Sequence, residues 1–400
     1  MNYLKNLFTD GLSISTPEIL SVYIPGVALL VWFYIFVVGE VLGNIARNLT
    51  SDIHVLYQIL LISIVLSSVI SGILIDKLDD VSVFTYVSLF VIGVITLFTN
   101  LIIARPGFLS LFIILIGILS GSSITALRTY LTSLTEIGEG GRIAGGLLFF
   151  SFLSIAIWEF LSIRTPNNVQ IVLISLLCFA GLLGYFIPES RNTDYKKKEY
   201  KYYGNIFYFL IPWITFSLAF GLWNALVSPH PIEKIIKIDP VSFGIVATLV
   251  YSLSSLIGGI EIDLFGRRVI SGFAFILLAV VYLIYGLLPS LIPIAFLIEL
   301  GTFGVIFMIF IFVIWGDLSI KHNGFYFGLA FGIFFAGLLS GEIASQYLGP
   351  VPRTDVSIVS SLLLVLGVIS IYYSEEPLHE DMQRFRKMSS YMREIKKLKI

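Results

Sequence analysis

The sequence predicts an all-α membrane protein whose twelve transmembrane helices form two pseudo-symmetric six-helix bundles. Three observations predict this fold: the composition, the number of long uncharged stretches, and a repeated motif of glycine and acidic residues. Of the 400 residues, 57% are hydrophobic and 13% are charged, and the mean hydropathy is +0.95. Soluble domains are nearer half apolar and a quarter charged. This composition fits a protein surrounded by lipid better than one surrounded by water. A helix that crosses the bilayer needs about 20 apolar residues.

Stretches free of Asp, Glu, Lys and Arg predict the spans in order. Two prolines, Pro289 and Pro293, interrupt one long stretch, so we place the ninth span at about 270–288 and the tenth at about 291–316, with Glu299 inside it. The other ten predicted spans are 19–39, 53–75, 81–104, 106–127, 143–158, 165–188, 202–232, 240–260, 322–341 and 356–374.

A polar segment at residues 191–204 divides the spans into two sets of six. We therefore expect five parts: an N-terminal cytoplasmic segment, a six-helix bundle, a cytoplasmic linker, a second six-helix bundle and a basic amphipathic cytoplasmic tail. Their predicted limits are 1–19, 20–190, 191–204, 205–374 and 375–400. Apolar residues spaced three and four apart in the tail predict a helix on anionic lipid or, alternatively, an oligomerisation helix.

Positive charge predicts that both termini lie in the cytoplasm. With that orientation, nineteen of the 25 Lys and Arg residues fall on the inner side and six on the outer side. Cytoplasmic segments of membrane proteins carry such an excess. We therefore expect a multi-pass protein of the cell membrane, with the lipid bilayer as its partner.

One motif occurs in both halves. Gly72 and Asp76 close the second span with the same spacing that Gly259 and Asp263 have at the end of the eighth. Two similar halves can close over a central site from either side, as a transporter of the rocking type requires.

The second copy of this motif is the more complete one. It comprises Gly259, Asp263, Gly266, Arg267 and Arg268. This pattern resembles the cytoplasmic loop motif of the major facilitator superfamily. The loop with Glu136 and Arg142 after the fourth span is similar to another motif of that superfamily, and Asp317 belongs to its looser counterpart after the tenth span.

The resemblance extends over nearly the whole chain and implies the fold of that superfamily and transport by alternating access. It also implies that Asp263 contacts the start of the fifth span, near Arg142, and that Asp76 contacts the start of the eleventh. The two arginines after Gly266 would bridge to Asp317 and nearby acids. Carboxylates are favoured at helix starts, and in the superfamily such contacts hold the inner gate shut. The alternative is a solvated turn that obeys the positive-inside rule.

A narrower resemblance is to the sugar porter branch. This resemblance rests on the tract Pro-Glu-Ser-Arg at 188–191 and, more weakly, on Glu-Glu-Pro at 375–377. This resemblance implies a sugar as the solute. The glutamine pair that contacts sugar in that branch is missing from the seventh span, which contains Trp223 and Asn224 instead.

Five charged residues interrupt otherwise apolar spans, where a charge costs on the order of 3 kcal/mol. We interpret Glu40 and Glu299 as candidate proton-coupling acids, because the resemblance places their spans beside the central cavity. Glu40, Glu159 and Glu342 lie near predicted outer ends, so we expect Glu159 and Glu342 to reach the headgroups, and the same is the alternative for Glu40. Arg128 lies near the inner end of its span, where snorkelling explains it equally well.

Five residues are candidates for solute binding: Trp32, Glu40, Trp223, Asn224 and Glu299. Aromatic rings and an amide in the first and seventh spans could form a binding wall. The alternative for the tryptophans is packing or anchoring at the membrane surface.

These observations predict a secondary active transporter for a small polar solute, such as a sugar or an organic acid, with protons as the candidate coupling ion. The alternatives are efflux of drugs or metabolites and a non-transporting membrane sensor of the same fold. No paired catalytic acids, histidine cluster or phosphate loop is present, so we expect no enzyme, no cofactor and no metal. Net charge is −1, which gives no reason to expect nucleic acid, and we expect a monomer.

Overall fold

The structure, a computed structural model, describes ten stretches of the chain. These are residues 14–38, 53–78, 80–103, 106–135, 138–163, 165–187, 205–227, 240–319, 323–349 and 351–377. The predicted linker at 191–204 and the tail beyond residue 377 lie outside the described residues, as do two candidate acids, Glu40 and Glu136.

Twelve helices in these stretches are long and apolar enough to cross a membrane, which confirms the predicted number. They are α1 (Thr16–Val38), α2 (Ile53–Ile75), α3 (Val81–Ile103), α4 (Leu109–Leu134), α5 (Gly140–Ser162), α6 (Asn167–Gly181), α7 (Phe207–Leu226), α8 (Pro240–Phe265), α9 (Arg267–Leu287), α10 (Pro289–Leu318), α11 (Asn323–Leu348) and α12 (Arg353–Tyr373). A 3-10 helix, Leu182–Phe186, continues α6, and π-helical turns occur at Phe33–Val38 in α1 and Met308–Val313 in α10.

Local chemistry explains where several helices begin. At the start of α1, Ser15 and Glu18 form a capping box, in which each side chain accepts a hydrogen bond from the other residue's backbone N–H. Gly266 separates α8 from α9 with a φ of 100°, a left-handed conformation that favours glycine. A short 3-10 turn, Pro289–Leu291, opens α10, in agreement with the predicted break between the ninth and tenth spans.

Three helices extend past the charges that ended their predicted stretches. Arg128 lies inside α4, Glu159 inside α5 and Glu342 inside α11. Arginine and glutamate are good helix formers, so a charged residue does not by itself end a helix. Uncharged stretches therefore predict the membrane-buried part of a helix better than its ends.

The helices pack as two six-helix halves, α1–α6 and α7–α12, with matching internal contacts. In the N-terminal half α2 packs on α4, α3 on α6 and α4, and α1 on α6 and α5. The C-terminal half repeats each pairing six helices later: α8 with α10, α9 with α12 and α10, and α7 with α12 and α11. The halves meet mainly through α5 with α8 and α2 with α11, and α4 also contacts α11. The predicted pseudo-symmetry of the fold is confirmed.

Glycines let the two halves approach closely at equivalent places. A methyl group on Gly72 would lie 2.3 Å from the carbonyl oxygen of Gly324, where α2 crosses α11. On the other side of the molecule, a methyl group on Gly259 would lie 2.3 Å from the carbonyl oxygen of Gly141, where α8 crosses α5. Small residues at crossing points allow this backbone contact in membrane proteins.

We expect Gly259→Ala to lower the stability of the protein by roughly 1–3 kcal/mol, because the added methyl group would force the backbones of α8 and α5 apart. Thermal unfolding of the purified protein in detergent measures the effect. Gly301→Ala in α10 is the control, since no atom lies within 4 Å of the added methyl group. Equal midpoints for the two variants would contradict the prediction.

Candidate functional site: the contacts between the two halves

Asp263, at the end of α8, joins the two halves. Its carboxylate, whose side chain is 1% exposed, accepts backbone hydrogen bonds from Gly141 at 3.2 Å and Arg142 at 2.9 Å at the start of α5. The Arg142 Nε also lies 3.4 Å from the Asp263 Oδ2. The orphan N–H groups of a helix start and its partial positive charge both favour a carboxylate here. The contact that the resemblance implied for Asp263 is therefore present.

Asp76, at the end of α2, repeats this arrangement on the other side. Its carboxylate accepts backbone hydrogen bonds from Gly324 at 2.8 Å and Phe325 at 3.0 Å, at the start of α11. The contact implied for the degraded first copy of the motif is therefore also present. We call the contacts of Asp76 and Asp263 the inner gate contacts, because the sequence predicts that this end of the bundle faces the cytoplasm.

Arg267 connects the Asp263 contact to α10. Its Nη1 lies 3.2 Å from the Asp263 Oδ1, and its Nε donates a 2.7 Å hydrogen bond to the Asp317 Oδ2. The side chain of Arg267 is completely buried, and two carboxylates balance its charge. The implied bridge from this arginine to Asp317 is present.

Arg268 does not bridge to Asp317, which corrects the expectation for the second arginine. Its guanidinium donates to the carbonyl oxygen of Tyr372 and lies 5.6 Å from the centre of that ring. The reason is helical geometry: adjacent residues at the start of α9 point in different directions, and only Arg267 points inwards.

Glu376, after α12, caps the start of α9. Its two carboxylate oxygens accept the backbone N–H groups of Arg267 at 2.8 Å and Arg268 at 2.9 Å. The tract at 375–377, which carried the fainter part of the sugar porter resemblance, thus stabilises a helix start.

We expect Glu376→Gln to destabilise the protein by about 1 kcal/mol, because the amide supplies one acceptor where two are used and carries no charge for the helix start. The neighbouring Glu375→Gln is a matched control, since Glu375 is exposed. Thermal unfolding midpoints check this prediction, and a control that loses as much stability as Glu376→Gln would contradict it.

In the C-terminal half, the candidates Trp223 and Glu299 belong to one buried polar group. The Tyr285 hydroxyl donates a hydrogen bond to the Glu299 carboxylate, and Glu299 is 9% exposed. The Trp223 ring stacks against both Tyr282 and Tyr285, with centroid distances of 5.1 and 5.2 Å. The Trp223 Nε1 and the Tyr282 hydroxyl are buried, and neither has a hydrogen-bond partner in the described part of the chain. We call these four residues the Glu299 cluster.

Two other candidates lie elsewhere. Trp32 is fully buried within the N-terminal half, where its Nε1 donates to the Thr96 hydroxyl at 2.9 Å and its ring stacks on Phe36. Asn224 donates to the carbonyl oxygen of Phe220, 2.9 Å away in its own helix. The structure therefore brings Trp223 and Glu299 together, and it joins neither Trp32 nor Asn224 to them through any described hydrogen bond or ring contact.

The structure corrects the expectation that Glu159 reaches the headgroups. Its carboxylate faces α8, where a methyl group on Gly244 would lie 2.6 Å from the Oε2, and its Oε1 accepts a 3.4 Å hydrogen bond from the Tyr34 hydroxyl. Glu342 instead pairs with the exposed His54, whose Nδ1 lies 2.6 Å from the Glu342 Oε1. The approach of Glu159 to α8 and the Glu342–His54 pair link the halves at the end opposite the inner gate contacts, whereas the Tyr34–Glu159 hydrogen bond lies within the N-terminal half.

Arg128 also differs from its expected position. Snorkelling would leave its guanidinium exposed, but the side chain is completely buried between α4 and the C-terminal half. Its Nη1 donates to the carbonyl oxygen of Phe327 at 3.3 Å, and its guanidinium lies 4.3 Å from the Phe331 ring centre. Helix packing at α4 and α11 covers the path to the inner surface, so the side chain cannot reach it.

One helical turn from Trp223 on α7 and from Glu299 on α10, helices α7, α10 and α11 supply a group of neighbouring phenylalanine rings. Neighbouring centroids lie 4.6–6.4 Å apart among Phe216, Phe220, Phe303, Phe307 and Phe334. Such rings can pack against each other or against the apolar part of a solute.

No family model and no curated protein matches the chain. Solved structures do match. The proton:xylose symporter XylE bound to 6-bromo-6-deoxy-D-glucose superposes with a TM-score of 0.68 at 13% identity, over 90% of this chain and 96% of that one. The chain has the major facilitator fold. Two further structures agree: the human organic anion transporter MFSD10 (0.66, 14% identity, 89% and 98% covered) and FucP in the outward conformation (0.62, 14%, 90% and 98%).

Within the major facilitator fold, sequence reasoning found the inner gate contacts but missed the tyrosines beside Glu299 and Glu159. Tyr282 and Tyr285 were not candidates, although they stand three residues apart on one side of α9, a spacing that puts both beside the same neighbour. Tyr34, the partner of Glu159, lies two residues after the candidate Trp32 and was also missed. A tyrosine within reach of a membrane carboxylate is the signal that could have identified them.

Proposed function

We propose that this protein is a secondary active transporter that moves a small polar solute across the cell membrane by alternating access. Protons are the proposed coupling ion, the proposed orientation has both termini in the cytoplasm, and the proposed working unit is a monomer. The observation that carries the proposal is the duplicated inner gate: a carboxylate from each half binds the helix start of the other half.

Contacts of this kind suit a reversible gate. A carboxylate at a helix start contributes about 0.3–1 kcal/mol when exposed and up to about 2 kcal/mol when partly buried. Two such sites, together with the Arg142 and Arg267 ion pairs, bias the halves towards closure at the inner end. A bound solute supplies binding energy of the same order, so it can shift the equilibrium between closed and open states.

Glu299 is the proposed proton-coupling residue. It lies on α10, is largely buried, and its carboxylate has the Tyr285 hydroxyl as a hydrogen-bond donor. Burial disfavours the charged form of a carboxylic acid, and water in an open cavity favours it. Opening to alternate sides therefore lets the same group bind a proton on one side and release it on the other.

The solute class proposed from the fold is a sugar or an organic acid. XylE is a proton:xylose symporter and MFSD10 is an organic anion transporter, so a transporter of a sugar and a transporter of organic anions both share this fold. The Glu299 cluster supports a polar solute, because two of its buried donors lack partners among the residues that the structure describes. Efflux of drugs or metabolites is the second candidate, and the phenylalanine group beside the cluster favours it for solutes with an apolar part.

The test is transport by the purified full chain in liposomes. Xylose, glucose, benzoate and succinate are offered as labelled solutes, with and without an imposed proton gradient. We expect accumulation of at least one solute that increases with the gradient. Solute movement against an outward gradient would favour efflux. Binding without movement across the membrane would favour a sensor and would overturn the transporter proposal.

A further inference from the structure

Arg128 is a buried cation that has no counter-ion among the described residues. It lies on α4, roughly 9 Å from the inner end of the helix at about 1.5 Å per residue. Its side chain is 0% exposed, and no carboxylate in the described part of the chain pairs with it. Arg267 provides the comparison within the same protein, because it is equally buried but pairs with Asp263 and Asp317.

The unsatisfied atoms of Arg128 lie on one edge of the guanidinium. The Nη1 donates to the carbonyl oxygen of Phe327, whereas the buried Nε and Nη2 have no hydrogen-bond partner in the stretches that the structure describes. The N–H bonds of Nε and Nη2 point in the same direction, and this pair forms the two parallel hydrogen bonds of an arginine with a carboxylate or phosphate. The part of the side chain suited to an oxyanion is thus the part that is unoccupied.

The groups that contact this guanidinium belong to the opposite half. They are the carbonyl oxygen of Phe327, the Phe331 ring of α11 at 4.3 Å, and the Phe312 ring in the π-helical turn of α10 at 5.7 Å. Opening at the inner end separates α4 from α10 and α11. Arg128 then loses these contacts and is uncovered in the space through which a solute passes to the inner side.

Ring contacts and one carbonyl do not replace a counter-ion. A single charge-assisted hydrogen bond and a cation–π contact recover only part of the hydration that a buried guanidinium loses. An oxyanion that occupied the free edge would supply the missing charge and both missing acceptors. Binding of an oxyanion therefore explains why this position holds an arginine, although an apolar residue would pack there at a lower cost in free energy.

We propose that Arg128 binds the oxyanion group of the transported solute when the inner end is open, so that the solute is an organic acid or a phosphate ester and not a neutral sugar. This inference rests on the transporter proposal and narrows its solute class. The competing explanation is that Arg128 only joins the halves through Phe327 and Phe331.

Binding is tested separately from transport. Thermal unfolding of the purified full chain is followed with benzoate, inorganic phosphate or glucose as the probe. We expect benzoate or phosphate, but not glucose, to raise the midpoint of the wild type. Arg128→Gln should weaken the apparent anion affinity at least tenfold, and Arg128→Lys should have an intermediate effect because an ammonium keeps the charge without the paired donors. Lys77→Gln removes an exposed charge from the same end and should change nothing.

A second variant keeps the test decisive if Arg128→Gln folds poorly. Phe331→Glu places a carboxylate beside the guanidinium, and we expect it to raise the unfolding midpoint and to abolish the anion response. Unchanged anion affinity in Arg128→Gln, or an anion response retained in Phe331→Glu, would overturn the inference.

The transport assay separates the two proposals. Uptake of xylose or glucose at equal rates by the wild type and Arg128→Gln would leave the transporter standing and overturn the anion site. An anion response that depends on Arg128, without movement of any solute across liposomes, would support the anion site and overturn the transporter.

Discussion

Asp263→Asn is expected to lower the initial rate of solute uptake into liposomes at least tenfold. The carboxylate is buried, binds two backbone N–H groups of α5, and faces Arg142 and Arg267. An amide keeps one acceptor oxygen and loses the charge, and loss of one partner from a buried ion pair costs on the order of 3 kcal/mol. That cost moves the ratio of closed to open inner gates by roughly a hundredfold, since about 1.4 kcal/mol corresponds to a factor of ten.

The control is Asp355→Asn, which makes the same chemical change at an exposed position at the start of α12. Asp76→Asn tests the other copy of the contact, and we expect a smaller loss because Asp76 is only half-buried. Rates are compared at equal amounts of folded protein. Uptake by Asp263→Asn within twofold of the wild type would refute the gating role.

Glu299→Gln is expected to abolish accumulation driven by a proton gradient, with a loss of at least tenfold, while exchange of solute for solute continues. Glutamine has the same shape and still accepts the Tyr285 hydrogen bond, but it cannot bind or release a proton. Solute exchange needs the halves to rock with solute bound and requires no change in protonation. The two activities are therefore expected to separate in this variant.

Accumulation under an imposed pH gradient and counterflow of labelled solute measure the two activities on the same liposomes. Glu342→Gln serves as the control, because that carboxylate lies outside the Glu299 cluster and pairs with the exposed His54 at the end opposite the inner gate contacts. Tyr285→Phe removes the hydrogen bond and leaves the acid, so it should reduce coupling without eliminating it. A response to the gradient in Glu299→Gln that matched the wild type would exclude Glu299 as the coupling residue.

Most of the fold follows from the solvent. Lipid cannot satisfy backbone hydrogen bonds, so each long apolar stretch must be a helix that satisfies its own. This reasoning predicted the twelve spans and the break at Pro289. It misjudged the ends of α4, α5 and α11, because the cost of Arg128, Glu159 or Glu342 in a span depends on the neighbours that each side chain meets.

The resemblance to the major facilitator superfamily predicted the partners of Asp76 and Asp263, and the chemistry of a helix start explains these contacts. Asp263, which follows Gly259, and Asp76, which follows Gly72, each lie at the end of one helix and meet the start of another. The first N–H groups of a helix have no partner within that helix, so they bind a carboxylate. The difference between Arg267 and Arg268 was not predictable from the motif. Which of two adjacent side chains points inwards depends on the rotation of α9 against α10 and α12.

The sequence by itself determined the number of spans and the division into two similar halves, because these depend on composition and spacing. Its resemblance to the major facilitator superfamily indicated which acids meet opposing helix starts. Only the tertiary structure decided that Glu299 shares a hydrogen bond with Tyr285, that Glu159 faces α8, and that Arg128 is buried with one edge unpaired. Those outcomes depend on which helix faces are brought together. The energy of a charge in a membrane is set by such neighbours and not by its place in the chain.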